Sequence, residues 1–389
     1  MKKVWKSLDY SLVLPLIILS TIGIIMVYSA SSIVAITKYK QLGYESNHFF
    51  LSQLRAMGLG LLALVITFRI PYVFLKKRFA AIMIYGGTLA LLTAVLLFGK
   101  TVNNAQSWIF GIQPAEFTKL GVIIVTARFL AKKYETNTSF LRGIGGIASY
   151  LLAVFWLIYK QPDLGTDLLI VGIVAAMAFC SGVRIKIIIK RVLLTSVIWL
   201  PLLIVIGMVK LTEEQISRFT AFMNPFADPQ GDGFHLINSF IAIASGGIGG
   251  AGLGNSIQKS GYLPEPHTDF IMAIVSEELG LLGVAIILAS LILIILRAFR
   301  MAQKCRDPFL SFLCIGIGSM LAIQSIANVG GITGLLPLTG VPLPFVSFGG
   351  SSLLMNFASM GLLLNVSARI KEQQQQRVAP SKPHLVVVK

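Results

Sequence analysis

Ten blocks of mostly apolar residues, separated by short charged loops, leave this chain few ways to fold. They fall near 12–32, 51–68, 79–98, 115–131, 143–160, 164–182, 192–209, 270–296, 309–329 and 348–366. A helix needs about 20 apolar residues to cross a hydrocarbon core of about 30 Å. Inside that core an unpaired backbone finds no water, so spanning segments must be helical. The pattern therefore predicts an all-α polytopic membrane protein of about ten helices. Composition agrees: 13% of residues are charged, against about 25% in soluble proteins. The first block is too long for a cleaved signal peptide and more spans follow it, so it reads as the first span.

The loops alternate in charge. Most of the 33 Lys and Arg collect before the first span, at 69–78, 128–142, 184–191 and 297–306, and after the last span. The acids favour the other side. Basic loops stay in the cytoplasm, which places both termini there, in a cytoplasmic cell membrane. The net charge of +17 is then an orientation signal, with a secondary attraction to anionic membrane lipids. No basic face with interleaved aromatics occurs, which excludes a nucleic-acid partner. Cys180, Cys305 and Cys314 fall at or near the basic side and form no disulfide framework. No Cys/His cluster has zinc spacing, so no structural metal is expected.

Residues 1–371 read as one ten-helix domain, with a large outer loop over 210–268 between spans seven and eight. A connection of that length is usually functional or disordered. Its apolar stretches, 219–226 and 236–244, predict short interfacial or re-entrant helices. The segment 372–389, with Gln373–Gln376, Pro380 and Pro383, reads as a disordered cytoplasmic tail.

Charges in or beside spans are costly and mark candidate functional residues. They gather at the outer ends. Gln113-Pro-Ala-Glu116-Phe-Thr-Lys119 opens the fourth span, with Glu116 and Lys119 on one helical face. Two readings stand: a self-neutralising pair that joins helices, or a polar cavity wall with Lys119 available to an anion. Lys160-Gln-Pro-Asp163-Leu-Gly-Thr-Asp167 forms the outer turn between spans five and six, either an acidic turn in water or a site wall. The densest stretch is Leu263-Pro-Glu265-Pro-His267-Thr-Asp269-Phe, followed by Glu277-Glu278-Leu-Gly280. Asp269 stands where it could cap a helix or act as a general base on an amphiphile's headgroup. His267 reads as a hydrogen-bonding residue. The last outer loop, Gly334 to Ser352, is rich in Gly and Pro, as expected of irregular backbone lining a protein cavity. Gly247-x-Gly249-x-x-Gly252 matches a dinucleotide fingerprint in form only, because no strand precedes it.

These motifs, in this order along ten spans, resemble the SEDS family (shape, elongation, division and sporulation). The resemblance runs from Asp9 to about Ala368. It rests on Pro-x-x-His-Thr-Asp-Phe with Glu-Glu-Leu-Gly, and on Leu-Pro-x-Thr-Gly…Pro-Phe-x-Ser-x-Gly-Gly-Ser-Ser. The opening Leu8-Asp-Tyr-Ser, Val27-Tyr-Ser-Ala-Ser-Ser32 and Ser256-Ile-Gln-Lys-Ser-Gly-Tyr-Leu263 resemble the Gram-positive division branch. Ala115 stands where many members have Ser, Pro266 where Ala is common and Phe348 where Tyr is common. None of these removes a charged candidate.

The resemblance implies a peptidoglycan glycosyltransferase that polymerises lipid II, a polyprenyl-pyrophosphate disaccharide-peptide, at the outer membrane face. It implies Asp269 as catalytic base, Glu265 as the acid of the Leu-Pro-Glu turn, and Glu116, Lys119, Asp163 and Arg218 as further substrate-binding positions. Positive charge on the leaving pyrophosphate is expected from Lys119, Arg218, Arg55 and a divalent cation, Mg or Mn. A class B penicillin-binding protein and other divisome membrane proteins are the implied partners. The alternatives are a lipid II flippase, which needs polar groups through the midplane, a noncatalytic scaffold, and an elongation-type polymerase.

Overall fold

The computed structural model describes residues 8–37, 43, 45–102, 105–136, 144–182, 213–231 and 233–378. It is an all-α bundle with one small hairpin. Helices α1 (Tyr10–Thr37), α2 (His48–Arg69), the short α3 (Tyr72–Lys76) and α4 (Arg78–Phe98) come first. A two-stranded antiparallel hairpin, β1 (Lys100–Val102) and β2 (Ala105–Trp108), caps the far end of α4. Then come α5 (Pro114–Thr136), α6 (Ile144–Tyr159) and α7 (Leu164–Phe179). The expected span at 192–209 lies outside the described residues. The large loop holds α8 (Glu213–Met223) and α9 (Phe234–Gly246), in line with the apolar stretches read there. Three long helices finish the chain: α10 (Ile271–Lys304), α11 (Pro308–Ile332) and α12 (Gly350–Val378). Helix α12 runs past residue 372, so the segment read as a tail begins as helix; residues 379–389 lie outside the described residues.

Local chemistry starts these helices where the sequence places short acids. The Asp9 carboxylate accepts from Ser11 N ahead of α1, Asp163 from Thr166 N at α7, and Asp307 from Phe309 N at α11. Each satisfies an amide that the helix start leaves without an internal partner. Pro114 and Pro308 take first-turn positions, where a missing N–H costs nothing.

Six helices are long and apolar enough to cross a membrane, and α11 and α12 are mostly enclosed by the others. The rim helices instead turn large apolar side chains outward, among them Leu59, Leu62, Met83, Leu282 and Leu293. A water-soluble fold would bury such residues; in a bilayer they face acyl chains. Between helices the packing relies on small residues, as expected without a hydrophobic drive inside lipid. A Cβ on Gly361 would lie 2.3 Å from Leu64 O, and Thr67 Oγ1 donates to Ala358 O at 2.9 Å. These contacts bring α2 and α12 together side by side.

Helix α10 is two helices in one. Gly280 has φ 64 and ψ −163, which breaks the ladder. Before it, Ile271–Glu278 are all buried; beyond it, Leu281 and Leu282 are exposed. The glycine-rich segment after α9 folds onto this break. Ala251 N and Gly252 N donate to the carbonyls of Glu277 and Glu278, at 2.8 and 3.0 Å, and Leu281 N donates to Gly247 O. A Cβ on Gly250 would stand 2.3 Å from Glu278 O. Of the glycines that imitate a dinucleotide motif, Gly247 and Gly252 take positive φ, at 54 and 94, and so serve the turns of this segment.

Two ends of the bundle differ in kind. One gathers the starts of α2, α5, α7, α10 and α12, the hairpin and the large loop. The other gathers Asp9, Lys76, Arg128, Arg297 and Lys371, tied by Arg297–Asp9 (2.6 Å), Lys76–Glu135 (2.7 Å) and Lys371 Nζ to Leu8 O (2.6 Å).

Candidate active site

The segment Leu263–Phe270 crosses the loop-rich end and enters α10. Glu265 has a positive φ of 52, and Thr268 closes a tight turn by donating from N and Oγ1 to Glu265 O, at 3.1 and 3.0 Å. A non-glycine residue in that region stores strain that the surroundings must hold. His267 provides the hold. Its buried ring packs on Phe49 of α2 and Phe348 of the last loop, at 4.5 and 5.4 Å between centroids. Its carbonyl accepts from Phe348 N at 2.9 Å, and its Nε2 lies 3.9 Å from Glu265 Oε2. Asn328 of α11 fixes the next residues, donating from Nδ2 to Asp269 O and Val341 O, both at 2.9 Å.

Asp269 therefore sits on a clamped backbone. It does not cap α10, whose cap position is Phe270 with no side-chain cap bond. The residue is half-buried, with protein packed closely around its carboxyl. That burial is the main cause pushing its pKa up to about 6; Arg218 pulls it back, and Glu265 and Asp163 push it further up. A carboxylate tuned toward neutral pH is what proton abstraction from a hydroxyl requires.

Arg218 comes from α8, a helix whose neighbouring Phe219 and Met223 are exposed. Gly340, at φ 69, is the meeting point: a Cβ there would stand 3.6 Å from both Arg218 Nη1 and Asp269 Oδ2. Asp163 approaches from α7, whose first turn presses against the same loop, since a Cβ on Gly165 would lie 2.3 Å from Thr339 O. Asp163 also accepts from Thr166 N and Oγ1, at 3.1 and 2.8 Å, so it both starts a helix and adds charge to the site.

The structure thus brings together Asp269, Glu265, Arg218 and Asp163. It does not bring Lys119, Glu116 or Arg55 to them by any described contact. Lys119 Nζ bonds Glu116 at 2.8 Å, with both side chains at 5% exposure or less, which is the self-neutralising arrangement. Arg55 is exposed, on the side of α2 turned away from the packed Gln53 and Ala56. Among the described residues no three His, Cys, Asp or Glu side chains are placed to hold a metal ion.

Sequence reasoning missed the supports. Glu277 accepts from Ile257 N at 2.8 Å and from the Ser256 hydroxyl, and Glu278 pairs with Lys259 at 2.6 Å and with Ser29 of α1. These two acids anchor the large loop from below. The Asp167 carboxylate oxygens and both Gln324 amide atoms are buried and find no partner among the described residues. Such groups normally bond something, and they extend the polar character of this end inward.

A family model described as "Cell cycle protein", FTSW_RODA_SPOVE, matches residues 10–372. The "Probable peptidoglycan glycosyltransferase FtsW" of Bacillus subtilis (strain 168) is 42% identical over 97% of this chain and 94% of its own length. "Stage V sporulation protein E" of the same organism is 40% identical, covering 93% of this chain and 97% of its own. Among solved structures, one titled "Structural coordination of polymerization and crosslinking by a peptidoglycan synthase complex" matches with TM-score 0.68 at 26% identity, over 93% of this chain and 98% of that one. The rod shape determining protein RodA of Thermus thermophilus matches with TM-score 0.66 at 25% identity, over 93% and 97% of the two chains.

Proposed function

The chain belongs to the FtsW/RodA/SpoVE family of cell cycle proteins, and we propose that this peptidoglycan glycosyltransferase uses Asp269 as the general base of an inverting reaction. The acceptor's GlcNAc 4-hydroxyl gives its proton to Asp269 and attacks the anomeric carbon of the donor's MurNAc. The bond to the polyprenyl pyrophosphate breaks, and an α linkage becomes β-1,4. Lipid II is the substrate that fits: its polyprenyl chain stays in the bilayer while its sugars reach the loop-rich end.

The single observation that carries this reading is the raised, clamped carboxylate of Asp269 beside a guanidinium. Arg218 is the cation placed to meet charge growing on the departing pyrophosphate, acting electrostatically. Lys119, enclosed with Glu116, holds helices instead. Glu265 and Asp163 keep Asp269 basic. The loop-rich end faces outside and both termini face the cytoplasm, a reading supported by the basic residues gathered at the other end. A role in the division wall is supported by FtsW being the more similar of the two Bacillus relatives. The crosslinking partner we assign is a class B penicillin-binding protein, supported by the complex that the fold resembles.

The test mixes the purified protein and its cognate transpeptidase with lipid II in detergent and resolves glycan chains on a gel. Asp269→Asn should lower the rate by about 10² to 10⁴. A folded Asp269→Asn protein with normal ladders would remove Asp269 as base. A folded wild-type complex that makes none would remove the polymerase.

A further inference from the structure

At the basic end, far from Asp269, helices α4, α5 and α6 part to leave an open cavity of about 610 Å³. Its walls run along the helices and are mainly apolar, with Ile82, Val125 and Ile147 among them. Four bases line it as well: Arg78, Arg128, Lys132 and Lys133. Arg78 opens α4 and the others lie in the last turns of α5, so the charge belongs to the membrane-surface end of the cavity.

Among the described residues, Arg78, Arg128 and Lys132 form no ion pair with an acid. Arg128 Nε donates to the main-chain oxygen of Lys76 at 2.7 Å, which fixes it in the wall within reach of the like charge of Arg78. Glu135 and Asp307 both bind Lys76, at 2.7 and 3.2 Å. Holding like charges together is unfavourable without an anion between them. A free anion would answer the charges but would leave the apolar trough without a purpose. The trough is lateral, because Ile82 and its neighbour Met83 are exposed on the side of α4 that faces lipid. An acidic lipid answers both features at once, with a phosphate among the bases and an acyl chain along the apolar wall.

We propose that the cavity between α4, α5 and α6 is a binding site for one acidic glycerophospholipid, its headgroup phosphate held by Arg78, Arg128 and Lys132. Basic pockets between membrane helices recognise lipid headgroups in this way. The site is separate from the glycosyltransferase centre and does not rest on the reaction assigned there.

The test delipidates the full-length protein in detergent. It then measures binding of phosphatidylglycerol, of phosphatidylcholine with the same acyl chains, and of inorganic phosphate by native mass spectrometry. Phosphatidylglycerol should be retained, phosphatidylcholine should be lost on dilution, and phosphate should not compete. Arg78→Gln with Lys132→Gln should weaken phosphatidylglycerol by about 30-fold, at roughly a factor of five per base. Gly146→Leu fills the trough without touching a charge. A Cβ at Gly146 meets nothing within 4 Å, so this variant should fold normally and lose about tenfold in affinity. Equal retention of the two lipids, or wild-type binding by both variants at unchanged melting temperature, overturns the proposal. Competition by phosphate at equal concentration overturns it too, leaving an anion site and no lipid site.

Discussion

The guanidinium of Arg218 and the carboxylate of Asp269 both border Gly340, with Nη1 and Oδ2 each 3.6 Å from where that glycine's Cβ would lie. Gly340→Ala therefore sets a methyl group against both groups, at a φ of 69 that favours glycine. The backbone cost is about 1 kcal/mol, a small shift in melting temperature. The polymerisation rate should fall further than that, by about tenfold, because misplacement of catalytic groups by a fraction of an ångström is expensive. A rate loss no larger than the stability loss would separate Gly340 from the chemistry.

The pH profile carries the electrostatics of the site. With Asp269 pushed up to about 6 by burial, polymerisation should fall as pH drops through that value and the base becomes protonated. Arg218 stabilises the charged form, so Arg218→Gln should raise the pKa and move the acid limb to higher pH. Glu265 destabilises it, so Glu265→Gln should move the limb to lower pH. Rate profiles of the three proteins check both signs, and limbs shifting in the same direction would refute the assignment.

Asp9 tests the opposite end. Burial alone would raise its pKa, but the Ser367 hydroxyl and Arg297 outweigh it and hold the carboxyl below the usual range. A depressed acid stabilises the fold above its unfolded pKa, and that contribution is lost as pH falls through the folded value. The tie between α1, α10 and α12 should thus be constant near neutral pH and fail only in strong acid. Asp9→Asn should cost about 3 kcal/mol at neutral pH, read as a lower melting temperature in detergent. It should leave the acid limb of polymerisation in place.

For Glu116 and Lys119 the structure predicts a structural pair. Glu116→Gln leaves a buried ammonium without its partner and should cost about 3 to 5 kcal/mol. Glu116→Gln with Lys119→Met removes both charges and should recover most of that stability and measurable polymerisation. A stable double variant without activity would return Lys119 to the substrate path.

The long apolar helices were legible because hydropathy repeats at bilayer length whatever the helices pack against. The site was legible in part, because the chain concentrates its costly charges in a few stretches, and Asp269 and Glu265 share one of them. What sequence could not give was pairing across the fold. Nothing in the spacing links Arg218 to Asp269, or Lys259 to Ser29 and Glu278, since those contacts depend on how loops fold back over helix ends. Asp163 showed the ambiguity of a short acid before a helix, which caps and charges the site together. The block over 270–296 read as one unbroken helix because its apolar pattern continues past Gly280, while the break is set by backbone torsions.

That break divides mechanical roles. Ile271–Glu278 is sheathed by protein on every side, whereas beyond Gly280 one side of the helix, with Leu282, Ile286 and Leu293, is exposed and the other, with Ile287, Leu291 and Ile294, is buried. Gly280 therefore marks where a helix closed in by protein gives way to one with a side open to lipid. The segment that carries Asp269 runs directly into the enclosed part, and the loop before it is moored to the same part where Glu277 holds Ile257 N and Glu278 holds Lys259.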